Sequence, residues 1–140
     1  MKIYFSGSIS GGREHEAIYQ HVVARLQAQG HHVLSAHVAD PLALEAEKDL
    51  PPREVFERDT NWVKACDVMI AEVSTPSLGV GYEVALAVQL GKPVWCVYRS
   101  GVRLSKLISG NTAPHVTVAA YANEAELDER VDAFLHTLTR

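Results

Sequence analysis

Five short apolar runs, each followed by a segment of helical periodicity, set the limits on what this chain can fold into. The runs are Lys2 to Ser6, His31 to Ala36, Asp67 to Val73, Val94 to Tyr98 and His115 to Ala120. After the first, Ile18, Val22 and Leu26 repeat at three-to-four spacing until Gly30. Comparable patterns follow the others, the last carrying Leu127, Val131, Phe134 and Leu138 behind a capping Asn123. This alternation predicts an α/β fold: one doubly wound domain over residues 1–140, with a five-stranded parallel sheet, helices on both faces and right-handed crossovers. A chain of 140 residues supplies one full hydrophobic core and is short for two.

The connections carry more information than the strands. A flavodoxin-like strand order opens a crevice at the carboxyl ends of the first and third strands. Three stretches would meet there: Tyr4, the loop Gly7-Ser8-Ile9-Ser10-Gly11-Gly12-Arg13, and Ser74 to Glu83. The glycines at 7, 11 and 12 do not make the dinucleotide GxGxxG pattern, and the loop lacks the Lys-Ser/Thr ending of a P-loop. Small residues ahead of a helix start still leave backbone N–H groups free to meet an anion. The stretch from Val38 to Pro52, with its charged Glu45 to Asp49, reads as a loop at the mouth of a site. Pro52 then opens a helix whose face is marked by Val55, Phe56, Trp62 and Val63. A short helix is expected from Arg103 to Ile108, carrying Ser105.

Composition removes several classes of function. A formal net charge of −4, with scattered Lys and Arg, gives no footing for a nucleic-acid polymer. No apolar run is long enough to span a bilayer, and Met1-Lys2 leads directly into a strand without a signal-peptide pattern, so a cytoplasmic protein is expected. Cys66 and Cys96 sit in apolar surroundings as buried, reduced thiols. The seven histidines are dispersed, and His15-Glu16 is followed by Tyr19 where a zinc-protease helix needs a second His, so no metal site is expected.

Two carboxylates stand where apolar residues are expected. From Gly79 to Leu90 the only ionisable side chains are Tyr82 and Glu83, in a helix that should be covered on most sides. A lone carboxylate in such a setting is costly unless paired, hydrogen-bonded or protonated. Glu83 is either a first-turn acid stabilised by the helix dipole or a group aimed into the crevice. Asp59 interrupts the apolar stripe of the preceding helix, either as the cap of a shorter helix beginning at Thr60 or as a second acid at the site. His37, at the end of the second strand, is a surface or capping residue or a ligand contact.

The helix N-terminus at Gly79, with the Ser77 hydroxyl, suits a monoester phosphate, each helix-end charge interaction contributing roughly 0.3–1 kcal/mol. Paired carboxylates beside a phosphate site, with no metal and no Cys or Ser triad, are equipment for cutting a glycosidic bond. Glu83 would attack the anomeric carbon, and Asp59 or another acid would assist the leaving group.

Tyr4-Phe5-Ser6-Gly7-Ser8-Ile9, Gly11-Gly12-Arg13-Glu14, His37-Val38, Asp59 with Trp62, Ala71-Glu72-Val73 and Pro76-Ser77-Leu78-Gly79-Val80-Gly81-Tyr82-Glu83 together resemble the 2'-deoxynucleoside 5'-phosphate N-hydrolases, also called Rcl, of the nucleoside 2-deoxyribosyltransferase superfamily. The resemblance implies Glu83 as nucleophile, Asp59 and Tyr4 as its catalytic companions, and Ser77 and Ser105 as phosphate ligands. Ser105 would reach in from the partner subunit of a homodimer. It further implies hydrolysis of a nucleoside monophosphate to free base and sugar 5-phosphate, without a cofactor. Family members carry Arg where this chain has Ser10 and Asp where it has His15, which touches base preference and the choice between deoxyribose and ribose. Rival readings are a 2-deoxyribosyltransferase passing the sugar to a second base, a pyrimidine ribonucleotide (CMP-type) glycosidase on the same frame, and a non-catalytic nucleotide sensor.

Overall fold

β1 (Lys2–Ser6) sends its side chains alternately into two separate cores, and that fixes its central place. Ile3 and Phe5 enter one, Tyr4 the other, and all three are sealed from solvent. β2 (His32–Val33) pairs along one edge and β3 (Val68–Glu72) along the other. β4 (Val94–Arg99) and β5 (Val116–Tyr121) complete a parallel sheet of order β2-β1-β3-β4-β5. The order reverses between β1 and β3, where Tyr4 lies in register with Met69, so the crevice opens there. The computed structural model describes residues 1–9, 12 and 15–140; Ser10, Gly11 and Arg13 of the expected ligand loop lie outside the described residues.

Helices cover both faces. α1 (Glu16–Ala28) and α6 (Glu124–Leu138) bring Ile18, Val22, Leu26, Leu127, Val131 and Leu135 onto Ile3, Phe5, Ile70, Trp95 and Val97. α3 (Pro52–Ala65) and α4 (Leu78–Gln89) bring Val63, Val80, Val84 and Ala87 onto Tyr4, Met69, Ala71 and Cys96. Each such aliphatic side chain contributes about 1.5–3 kcal/mol by leaving water. Asn123 Oδ1 accepts from the Glu126 N–H at 2.9 Å, capping α6 as its sequence predicts. Cys66 and Cys96 are free and buried, and burial pushes the Cys96 thiol up to about 12. Among the described residues, no helix is long and apolar enough to cross a membrane.

Several expected elements differ. The second strand stops at Val33 instead of Ala36 because Ser35 replaces the ladder with its side chain: Oγ accepts from the Phe5 N–H at 2.8 Å and donates to the Phe5 carbonyl at 2.6 Å. The chain then turns into a 3₁₀ helix, Ala36–Ala39, so His37 sits on a helical turn rather than at a strand end. The expected mouth loop contains α2 (Ala43–Glu47). α3 runs unbroken through Asp59, which excludes the reading of Asp59 as a cap. Phe56 lies on the outer side of α3 at 54% exposure, while Thr60 and Val63 face inward. α5 (Lys106–Ser109) is shorter than expected and begins after Ser105, its N-cap. α4 is not covered on most sides: a stripe of Val80, Val84 and Ala87 is buried, while Leu78 is 96% exposed.

Candidate active site

Strand alternation places Tyr4 and Ser6 on the same side of β1, and both reach Glu83 from across the crevice. The Tyr4 phenol donates to Glu83 Oε2, and Ser6 Oγ donates to Oε1 at 3.0 Å. Glu83 comes from the second turn of α4, the helix that leaves the carboxyl end of β3. Burial pushes its carboxyl up to about 7; the Tyr4 and Ser6 hydrogen bonds oppose that rise, and the negative charges of Asp59 and Glu47 add to it. Tyr4 itself is driven far above the ordinary phenol range by burial and the neighbouring Glu83 and Asp59 charges, so it stays a donor. The result is an oriented carboxylate that ionises near neutrality, as a nucleophile or a base requires.

Asp59 belongs to a second cluster at the same mouth. Arg58 Nε donates to Asp59 Oδ1 at 2.7 Å, and an Arg58 terminal nitrogen donates to Glu47 Oε1 at 2.6 Å, tying α2 to α3. The same nitrogen lies 3.2 Å from His37 Nε2. A guanidinium only donates, so His37 accepts at Nε2 and carries its proton on Nδ1. Burial, with the Arg58 charge beside it, holds His37 below the usual imidazole range, and the ring is neutral at pH 7. Its 3.3 Å approach to Glu47 is therefore a contact rather than an ion pair at that pH. Trp62 floors the cluster, with the Arg58 guanidinium 5.2 Å above its ring and His37 5.6 Å away.

The loop after β1 is drawn tightly against α1. A Cβ on Gly7 would come within 2.9 Å of the Tyr19 ring, and the Tyr19 hydroxyl accepts the Ser8 N–H at 3.1 Å. Gly7 is thus required by close approach. Ser8 is fully buried, and its Oγ has no hydrogen-bond partner among the described residues. Ile9 packs at the edge of the α1-side core, and Gly12 adopts a φ of 131°.

The expected phosphate residues lie elsewhere on α4. Ser77 caps the helix, its Oγ accepting the Val80 N–H at 3.3 Å, and Gly79 follows in the first turn. Ser77 and Ser105 line one cavity of about 560 Å³ between α4 and α5, together with Ser74, Thr75, Leu78, Arg103, Leu107 and Asn111. Ser105 also caps its own short helix, accepting the Leu107 N–H at 3.3 Å. Glu83 does not line this cavity, since its side chain turns towards β1. The structure therefore unites Tyr4, Glu83, Asp59 and His37 around the crevice and sets Ser77 and Ser105 on the other side of the same helix.

Four polar side chains of this region are not singled out in the sequence reading, although one of them carried a signal. Ser6 was legible from its position two residues after Tyr4 on one strand. Arg58 and Glu47 pair across two helices, and no local pattern announces such a pair. Glu72, which closes an apolar strand, reads as part of that strand. Among the described residues, no group of three or more His, Cys, Asp or Glu side chains is placed to hold a metal ion.

Comparison with known proteins identifies the family. The chain is 45% identical over 143 residues to the 5-hydroxymethyl-dUMP N-hydrolase of Rattus norvegicus, covering 95% of this chain and 86% of that one. It is 40% identical over 143 residues to the protein of the same name from Danio rerio, covering 100% and 99%. In fold it is similar to the CMP N-glycosidase of Clostridium botulinum, with a TM-score of 0.72, 21% identity, and coverage of 96% and 99%. The nucleoside 2-deoxyribosyltransferase family model matches residues 3–130, and the chain belongs to that family.

Proposed function

We propose that this protein is a hydrolase of the N-glycosidic bond in nucleoside 5'-monophosphates, yielding free base and sugar 5-phosphate through a glycosyl-Glu83 intermediate. The observation that carries the reading is the Glu83 carboxylate, held on one oxygen by Tyr4 and on the other by Ser6 and brought by burial to ionise at about 7. The ionised Glu83 attacks C1' of the sugar while the bond from C1' to the base nitrogen breaks, with oxocarbenium character at the transition state. The departing base takes its proton from a water hydrogen-bonded to the ionised Asp59 carboxylate, and the hydroxide left behind attacks C1' in the second step, which releases the sugar with its original configuration and frees Glu83. Atoms and charge balance without a cofactor. Tyr4 orients the nucleophile and stabilises its ionised form. The names of the relatives from rat and Danio rerio support a deoxynucleoside monophosphate as substrate.

The 5'-phosphate is anchored in this reading by Ser77 at the N-terminus of α4, with Gly79 leaving the backbone open to it. Gly7, Ile9 and Gly12 of the loop after β1 lie against the sugar in this reading, and His37 contacts the base. The second phosphate ligand is Ser105 supplied by the other subunit of a homodimer. Leu78 and Leu107, 96% and 87% exposed at the rim of the cavity, supply apolar surface that such a dimer would cover. The free, buried cysteines suit a reducing compartment, and the reading places the enzyme in the cytoplasm.

The test is release of free base from a panel of deoxy- and ribonucleoside monophosphates led by 5-hydroxymethyl-dUMP, each beside its nucleoside. Base release that requires the 5'-phosphate and is unchanged by an added second base supports hydrolysis. A new nucleoside formed with the added base would assign transfer instead, and binding without any release would leave a sensor. Mixing Ser105→Ala with Glu83→Gln subunits should regenerate activity if the site is shared, and no recovery would place Ser105 outside the partner's site.

A further inference from the structure

We propose that Glu72 is a positioning residue for the phosphate-anchoring loop, setting the affinity for the 5'-phosphate without touching substrate. The inference rests on the assignment of Ser77 to the phosphate. Glu72 is the last residue of β3 and is 1% exposed, a carboxylate more deeply buried than Glu83 and absent from the steps above. A buried carboxylate is retained only where hydrogen bonds meet it, and here each oxygen has one. Oε1 accepts the Ser74 N–H at 2.7 Å, and Oε2 accepts the Tyr121 hydroxyl at 3.2 Å. Ser74 in turn accepts the Arg99 N–H through Oγ at 2.8 Å.

These bonds join the carboxyl ends of three strands. Glu72 ends β3, Arg99 ends β4 and Tyr121 ends β5; Glu72 and Arg99 both bond Ser74, the first residue of the loop that delivers Ser77 to the start of α4, and Tyr121 holds Glu72. Tyr121 is sealed from solvent, and burial beside the Glu72 charge raises its phenol well above the ordinary range, so it remains a donor. The loop between Ser74 and Ser77 is thus fixed at its root by a group that cannot be reached from the crevice. Glu83 has a separate tether on β1 through Tyr4 and Ser6. Loosening the loop should therefore disturb phosphate binding more than it disturbs the nucleophile.

The experiment measures KM and kcat for a nucleoside monophosphate, and the inhibition constant of inorganic phosphate, in Glu72→Ala, Glu72→Gln, Tyr121→Phe and Ser77→Ala enzymes. Glu72→Ala should raise KM and the phosphate inhibition constant together by about tenfold while kcat falls less than about threefold. Glu72→Gln keeps an acceptor for the Ser74 N–H and should return both constants to within about threefold of the parent. Tyr121→Phe should shift them in the same direction by less. A lower melting temperature with both constants unchanged, or a loss confined to kcat, would overturn the proposal. If Glu72→Ala does not fold, unchanged constants in Tyr121→Phe overturn it equally. Ser77→Ala separates the two levels: if it raises the phosphate constant while the Glu72 variants do not, this inference alone fails, and if it leaves the constant unchanged the phosphate assignment itself is wrong.

Discussion

Glu83 and Glu72 are two carboxylates of one strand-helix unit, each held by a tyrosine hydroxyl and a second donor, yet they are built for opposite purposes. Glu83 takes the Tyr4 phenol and the Ser6 hydroxyl, at a crevice where Asp59 and Glu47 add negative field. Glu72 takes the Tyr121 phenol and the Ser74 N–H, sealed beneath the loop. What separates them is access. A carboxylate with partners on both oxygens and a path to a ligand is poised for chemistry, while the same group without the path serves only the backbone it holds. Burial alone therefore does not mark a reactive acid; burial at the switch between β1 and β3 does.

The sharpest way to break the comparison is to remove the charge at each position without changing its shape. Glu83→Gln should lower kcat by about a thousandfold or more while nucleotide still binds, because the amide cannot form the glycosyl ester. Glu72→Gln should leave kcat near the parent value. Single-turnover base release with equilibrium binding measures both, and a Glu83→Gln enzyme within about tenfold of the parent would remove Glu83 as nucleophile.

Asp59→Asn should cost about a hundredfold in kcat, the usual scale for a positioned group that assists proton transfer, with a small change in melting temperature. A leaving group that departs without protonation should recover most of that loss. A fall in stability with activity retained would reduce Asp59 to the Arg58 clasp. Tyr4→Phe comes next. The phenol opposes the burial-driven rise of Glu83, so removing it should move the acidic limb of kcat/KM from about pH 7 to higher pH, with about a tenfold loss near neutrality for each unit moved. An unmoved limb would assign that limb to another group.

The strand order and the presence of Glu83 in the crevice were legible for the same reason: each depended on a local pattern. Short apolar runs set between helical periods leave little choice of architecture, and a lone Glu in the apolar helix from Val80 to Leu90 stands out against its neighbours. What escaped depends on partners distant in sequence. β2 ends early because the Ser35 hydroxyl occupies both backbone groups of Phe5, thirty residues away. Phe56 matched the apolar stripe of α3 yet faces outward, edge-on to Tyr82 at 6.2 Å, because the buried face of that helix is narrow and centred on Thr60 and Val63. The resemblance brought Ser77 and Glu83 together as one site. Within one chain their side chains diverge from a shared helix, about 9 Å of axial rise apart. The proposed function assigns the phosphate to the start of that helix and the reacting carbon to Glu83.

The smallest effect concerns stability. In the folded chain the Glu83 carboxyl is raised from its ordinary 4.5 to about 7, so the fold favours the protonated form. Its contribution is fully present below about pH 4.5 and is lost as the pH rises through 7. Above that pH the parent carries an ionised, partly desolvated carboxylate, which Glu83→Gln lacks. The variant should therefore be more stable than the parent at pH 8 by on the order of 1 kcal/mol, a gain of a few degrees in Tm, and should lose that advantage on titration to pH 4.5. Thermal melts of both proteins across that range measure it. A difference that is constant with pH would show that Glu83 ionises in the fold as it does in water, and the comparison with Glu72 would then rest on access alone.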